Sequence, residues 1–219
     1  MGVTLMKKKI KKIIVMVMSM ALCIVVMGGT LKVRAADKPN LNIRIDDAPV
    51  LIEETNKGTI SASYNPRYYK VDIEQSIVGN WNVEISVINS NTNKSVVLYI
   101  PQKEFATVTI DIDNGMFSGG KYNAECISAN VSNGGIDFSV DKNFNGCIEV
   151  DAYNSIFHLS SLDQYLNFDV SMICDSESLG AAPSYFECDY LNGKYSYFNG
   201  FGSNVMNVSL RGGSVGSLE

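Results

Sequence analysis

The sequence predicts an all-β protein, an antiparallel β-sandwich that is immunoglobulin-like in its first part. Three observations point there. Apolar and polar residues alternate with period two through most of the chain. Clusters of Gly, Asn, Asp and Ser break that alternation about every 8 to 12 residues. No stretch after residue 36 sustains a helical period for three turns, and the best candidate for a single turn is Ser160 to Tyr165.

The first 35 residues stand apart from that pattern. Lys7, Lys8, Lys9, Lys11 and Lys12 precede an apolar run from Ile13 to Met27, and Val33-Arg34-Ala35-Ala36 follows. A basic segment, an apolar core and small residues at −3 and −1 are the three parts of a secretory signal, with cleavage expected after Ala35. The run of about 15 apolar residues falls short of the roughly 20 that span a bilayer, which argues against a retained anchor. Lipidation at Cys23 is rejected because Leu22 precedes it and more apolar sequence follows. With no second apolar span, the mature chain is expected to be secreted or held at the cell surface of a bacterium, without a membrane span.

Removing the signal takes seven of the 18 basic residues and none of the 23 acids, which leaves a formal charge of −12. Nucleic-acid backbones reward clustered Lys and Arg, which this chain lacks, so nucleic acid is excluded as a partner. Anionic membrane surfaces are disfavoured on the same ground.

The strands come next. Trp81, Val83, Ile85 and Val87 alternate with Asn82, Glu84 and Ser86; Ala106, Val108, Ile110 and Ile112 alternate with Thr107, Thr109 and Asp111. Residues 89–93 are expected to turn Trp81–Ile88 into Ser95–Ile100, and Asn192-Gly193 to close a type I′ hairpin between Tyr185–Tyr190 and Lys194–Asn199. Strands near 68–74, 81–88, 95–100, 105–112 and 121–129 compose the immunoglobulin-like part, entered at Gly120-Lys121-Tyr122. Asn133-Gly134-Gly135 is the natural break between a first unit, 36–133, and a second, 134–210. These read as two tandem small sandwiches or one continuous sandwich. Residues 211–219 are expected to form a flexible tail.

Four cysteines remain after the signal: Cys126, Cys147, Cys174 and Cys188. An exported chain meets an oxidising environment, so up to two disulfides in three connectivities are open. Strand parity favours Cys174–Cys188, because Cys174 continues the apolar face of Phe168, Val170 and Met172 while Cys188 shares a face with Phe186 and Tyr190. Free buried thiols are the bland alternative.

Two candidate sites emerge. Asp141, Asn143 and Asn145 followed by Gly146 match the first half of a calcium loop, with Glu149 or Asp151 as further ligands. Ala152 stands where the bidentate acid belongs, so the competing reading is a plain Asn-Gly turn, and the cofactor expectation is none or a structural calcium. The aromatic run containing Tyr185, Tyr195, Tyr197 and Phe201 would suit a recognition surface, since rigid amphipathic rings stack on sugars or anchor proteins. Its competing reading is core packing.

Catalysis has little support. The single histidine, His158, lies in an alternating strand, and no nucleophile elbow, phosphate loop or zinc helix occurs. Ser118-Gly119-Gly120-Lys121 matches Ser-x-x-Lys without the companion motifs. The expectation is a non-catalytic binding or adhesion-type module for an extracellular protein or glycan. The alternatives are a subunit of a surface layer or appendage and, behind that, a secreted glycan-cleaving enzyme.

Overall fold

The computed structural model describes residues 38–90, 94–141, 143–159, 168–174, 187–191, 194–200 and 203–218. The signal segment, the candidate turn at 160–165, the Asn192-Gly193 turn, Tyr185 and Phe201 lie outside the described residues. Lys38–Glu219 make one compact unit.

That unit is all β, with no helix among the described residues. Its strands are β1 (Leu41–Asp46), β2 (Pro49–Thr55), β3 (Ser61–Ser63), β4 (Tyr69–Gln75), β5 (Trp81–Val87), β6 (Val96–Pro101), β7 (Glu104–Asp113) and β8 (Met116–Ser132). They continue with β9 (Gly135–Val140), β10 (Cys147–Tyr153), β11 (Ile156–Leu159), β12 (Phe168–Cys174), β13 (Glu187–Leu191), β14 (Lys194–Gly200), β15 (Asn204–Arg211) and β16 (Ser214–Leu218).

Most of the ladders are parallel. Sheet A runs β5, β1, β7, the second half of β8, β10, β15 and β12, all parallel neighbours. Sheet B runs β6, β2, the first part of β8, β9, β11 and β16, also parallel. Antiparallel pairing is confined to the ends, where β4 joins β5, β3 joins β6, and β14 with β13 extend from β12. Because β8 runs through both sheets, one hydrogen-bonded network nearly closes on itself.

The corners explain why the chain stacks rather than reverses. Five rungs cross sheet A, turn at one residue with positive φ, and continue into sheet B. Those residues are Asp47, Asn114, Asn133, Asn154 and Gly212, at φ of 57°, 53°, 51°, 48° and 67°. A type I′ hairpin needs two consecutive residues at positive φ. Here Gly115 and Gly134, which follow Asn114 and Asn133, are not at positive φ. One left-handed residue bends the strand instead of folding it back.

The residue after each corner must be small. A Cβ on Gly134 would lie 2.2 Å from the Gly115 carbonyl oxygen, and one on Gly213 would lie 2.1 Å from that of Ser155. The corners are tied by hydrogen bonds that climb the stack: Asp47 N to Asp113 O, Asn114 N to Ser132 O, Asn133 N to Tyr153 O and Asn154 N to Arg211 O, at 2.7–2.9 Å.

Between the sheets, inward residues line up rung upon rung. Val83, Ile43, Ile110, Ala129, Val150, Val208 and Met172 form one buried row across sheet A. Sheet B contributes Val96, Val50, Phe117, Ile136 and Phe157 in the same way. Phe117, Tyr122, Phe138 and Phe157 form a chain of ring contacts with centroids 6.1–6.4 Å apart. Burial of this contiguous apolar interior supplies the main driving force for the fold.

The order of rungs departs from chain order at both ends. The β1–β2 rung is covered on its outer side by the later β5–β6 rung, and the β15–β16 rung lies between β10–β11 and the earlier β12 in sheet A. In sheet A both of these rungs are therefore interior, and antiparallel strands close that sheet at either side; in sheet B, β16 pairs with β11 alone among the described residues.

Several sequence expectations are corrected by these ladders. The antiparallel immunoglobulin-like arrangement is replaced over most of the unit by parallel pairing, for the corner reason given above. Trp81–Val87 and Val96–Pro101 do not pair with each other; the first lies in sheet A and the second in sheet B. Asn133-Gly134, read as a break between units, is a corner inside β8–β9. Most of the expected tail is β16, which pairs with β11. Gly212 and Gly213 are there for positive φ and close approach, not for flexibility.

Candidate functional site

Parallel in-register stacking sorts the outward side chains of sheet A into rows. One row is Asn82, Asn42, Thr109, Ser128, Glu149, Asn207 and Ser171. The next is Glu84, Arg44, Asp111, Asn130, Asp151, Ser209 and Ile173. Rungs are about 4.8 Å apart, so the face repeats a polar group at that interval. Side chains within it are linked laterally: Asn42 Nδ2 donates to Asn82 Oδ1 at 2.8 Å, and Asn130 Nδ2 donates to Asp111 Oδ1 at 2.8 Å. Arg211 donates to both Asp151 carboxylate oxygens at 3.0 Å. A shallow trough of about 380 Å³ crosses the rows, with Ser128, Asn130, Glu149, Asp151, Ser171 and Asn207 among its walls.

The same face carries a disulfide. Cys126 and Cys147 are register partners on β8 and β10, with Cα atoms 4.6 Å apart, and they are bonded. Cys174 and Cys188 lie on β12 and β13, with β14 between them: Cys174 opposes Tyr195 while Cys188 opposes Tyr197. Two strand spacings place their backbones about 10 Å apart, beyond the reach of about 7 Å for a disulfide. Parity put them on one face but could not show the strand between. Tyr195 and Tyr197 lie on β14.

The Asp141 segment is a closed turn. Asp141 Oδ1 accepts from the backbone N of Asn143 and from Asn143 Nδ2, both at 2.9 Å, and Phe144 N donates to Asp141 O at 2.8 Å. Phe144 is buried in the core and Asn145 is exposed. Glu149 and Asp151 are not brought to this turn; β10 carries them about 10 Å and 17 Å beyond Gly146, onto the face of sheet A. Of the five proposed ligands, only Asp141 and Asn143 are in contact with each other.

His158 stands on the outer side of sheet B. Ser118, Asp137 and His158 are register partners on three neighbouring strands. His158 Nδ1 lies 3.2 Å from Asp137 Oδ1. Asp137 occupies the middle of the row, so the serine neighbours the acid rather than the imidazole that would have to take its proton.

A second concave feature follows the edge where sheet B returns to sheet A. The Gln102–Glu104 link, Lys121 and Asn123 of β8, Glu54 of β2, and Asp141 with Asn143 line an open cleft of about 430 Å³. Lys103 Nζ lies 5.6 Å from the Trp81 ring centroid and 5.4 Å from that of Phe105, and burial lowers its pKa. Tyr122 packs nearby with its hydroxyl buried and without a hydrogen-bond partner; desolvation, with a smaller contribution from Glu54, raises its pKa.

The rows on sheet A were invisible to strand-by-strand reading because Asn42, Ser128 and Asn207 are far apart in the chain. The signal that could have found them is a repeat at the corners: Asp46-Asp47-Ala48, Asp113-Asn114-Gly115, Ser132-Asn133-Gly134 and Tyr153-Asn154-Ser155, each following an alternating strand.

No protein-family model matches the chain, and no curated protein matches it. Among solved structures, a crystal structure described as a putative cell adhesion protein from Clostridium sporogenes is similar over 82% of this chain and 92% of its own, at 15% identity and a TM-score of 0.49. A likeness that remote carries no function across.

Proposed function

We propose that the chain is an exported, non-catalytic binding module of the adhesion type, recognising an extracellular protein or glycan through the solvent face of sheet A. The observation that supports this reading is the in-register rows on that face. Short Asn, Ser and Asp side chains on a rigid ladder have little rotamer freedom to lose on binding. Their repetition across seven rungs offers a long contact area rather than a single pocket. Export follows from the basic, apolar and small-residue order of the first 35 residues.

Two alternatives fit less well. For a hydrolase, the Ser118–Asp137–His158 row has the wrong order. For an assembly subunit that pairs strand edges, β4 is poorly suited, because its exposed Lys70, Asp72 and Glu74 oppose edge-to-edge addition. The test is binding of the labelled full chain to arrays of purified extracellular proteins and glycans. Saturable binding to a member of either class is expected; turnover of an arrayed glycan would instead favour the enzyme.

A further inference from the structure

We propose that the cavity at the B-to-A edge is a binding site for a neutral, polyhydroxylated ligand, a sugar unit of an oligosaccharide. The inference does not depend on sheet A being the main binding face.

The argument rests on how the cavity's charges are already matched. Glu104 is held by Lys38 at 2.6 Å, and Lys121 lies 4.0 Å from Asp141. Glu54 accepts a hydrogen bond from Gln102. Each carboxylate thus has a cationic or amide neighbour. A divalent cation would have to displace ammonium groups from its ligands, and an anion would meet three carboxylates at close range. What the walls offer instead is donors and acceptors interleaved along an open cleft. A hydroxyl both donates and accepts, so a ring bearing several of them can satisfy such a wall where a pure donor or a pure acceptor cannot.

The site is also preorganised. Asp141 is fixed by its two bonds from Asn143, and Lys103 has its ammonium above two aromatic rings. Side chains held in advance lose less entropy on binding. The cavity's volume of about 430 Å³ lies in the range of small-molecule sites.

The experiment is saturation-transfer NMR and titration calorimetry of the full chain against cellotetraose, chitotetraose and β-1,4-galactotetraose, with calcium chloride and inorganic phosphate as comparison probes. Saturable binding of at least one tetrasaccharide is expected, weakened tenfold or more by Lys121→Ala and by Asn123→Ala, and unchanged by Ile156→Ser, an exposed position on β11 outside both concave features. Two cavity variants are used so that a folding defect in one, detected by its melting curve, leaves the other to decide. The proposal is overturned if none of the three sugars binds saturably. It is equally overturned if their binding ignores both cavity variants, or if calcium or phosphate alone binds in a Lys121-dependent way.

Discussion

Asn154 donates from its side-chain amide to the side-chain oxygen of Asn133, one corner away, at 3.1 Å, while both backbones hold positive φ. Asparagine serves twice here: it tolerates the left-handed backbone, and its amide links one corner to the next. Replacing Asn133 by Ala should cost about 1–2 kcal/mol, from the left-handed backbone and the lost bond. Asn133→Gly should cost less, since glycine adopts that φ freely. Urea unfolding of the two variants checks the order.

The position after the corner is more sensitive. Gly134→Ala puts a Cβ 2.2 Å from a backbone oxygen that cannot rotate away, and the rung must shift. We expect a loss of about 3 kcal/mol. Gly58→Ala, with nothing within 4 Å of its new Cβ, is the control and should change stability by less than about 0.5 kcal/mol.

The Cys126–Cys147 bond closes a loop with a sequence separation of 21 between two neighbouring rungs. Chain-entropy reasoning gives a stabilisation of about 3 kcal/mol for a loop of this size. Cys126→Ser/Cys147→Ser should lower the unfolding midpoint accordingly. Peptide mapping under non-reducing conditions should recover these two cysteines joined.

Tyr122 makes a pH prediction. Its folded pKa is raised above the unfolded value of 10.0, chiefly by desolvation. Its contribution is therefore fully present below pH 10 and is lost as pH rises beyond that value. Tyr122→Phe should remove this alkaline loss. Because the hydroxyl has no partner, the same change should leave stability at neutral pH unchanged or raise it by up to about 1 kcal/mol. Thermal melts between pH 7 and pH 11 separate the two effects.

What could be read from sequence was local. Alternation at Trp81–Val87, Val108–Ile112 and Ile148–Ala152 identifies strands and their buried faces, because side-chain direction depends on neighbouring residues alone. Ladder direction does not. Whether Asn114-Gly115 reverses the chain or bends it rests on the φ of the second residue, and both outcomes have the same sequence. The disulfide depends on which strands are neighbours: Cys126 and Cys147 meet because β8 and β10 are adjacent, while β14 separates Cys174 from Cys188. The rows on sheet A follow from the same stacking, so they become visible only once the corner repeat sets the rungs in register.

The proposed recognition role is tested most directly by Asn130→Arg and Asn207→Arg, two outward positions on β8 and β15 that border the trough. Binding to the best partner found on the protein and glycan arrays would be measured by biolayer interferometry beside wild type, with melting curves to show that both variants fold. The account predicts at least a tenfold loss of affinity in each variant at an unchanged melting temperature. Undiminished binding by both variants, or no saturable partner for wild type in either class, would contradict it.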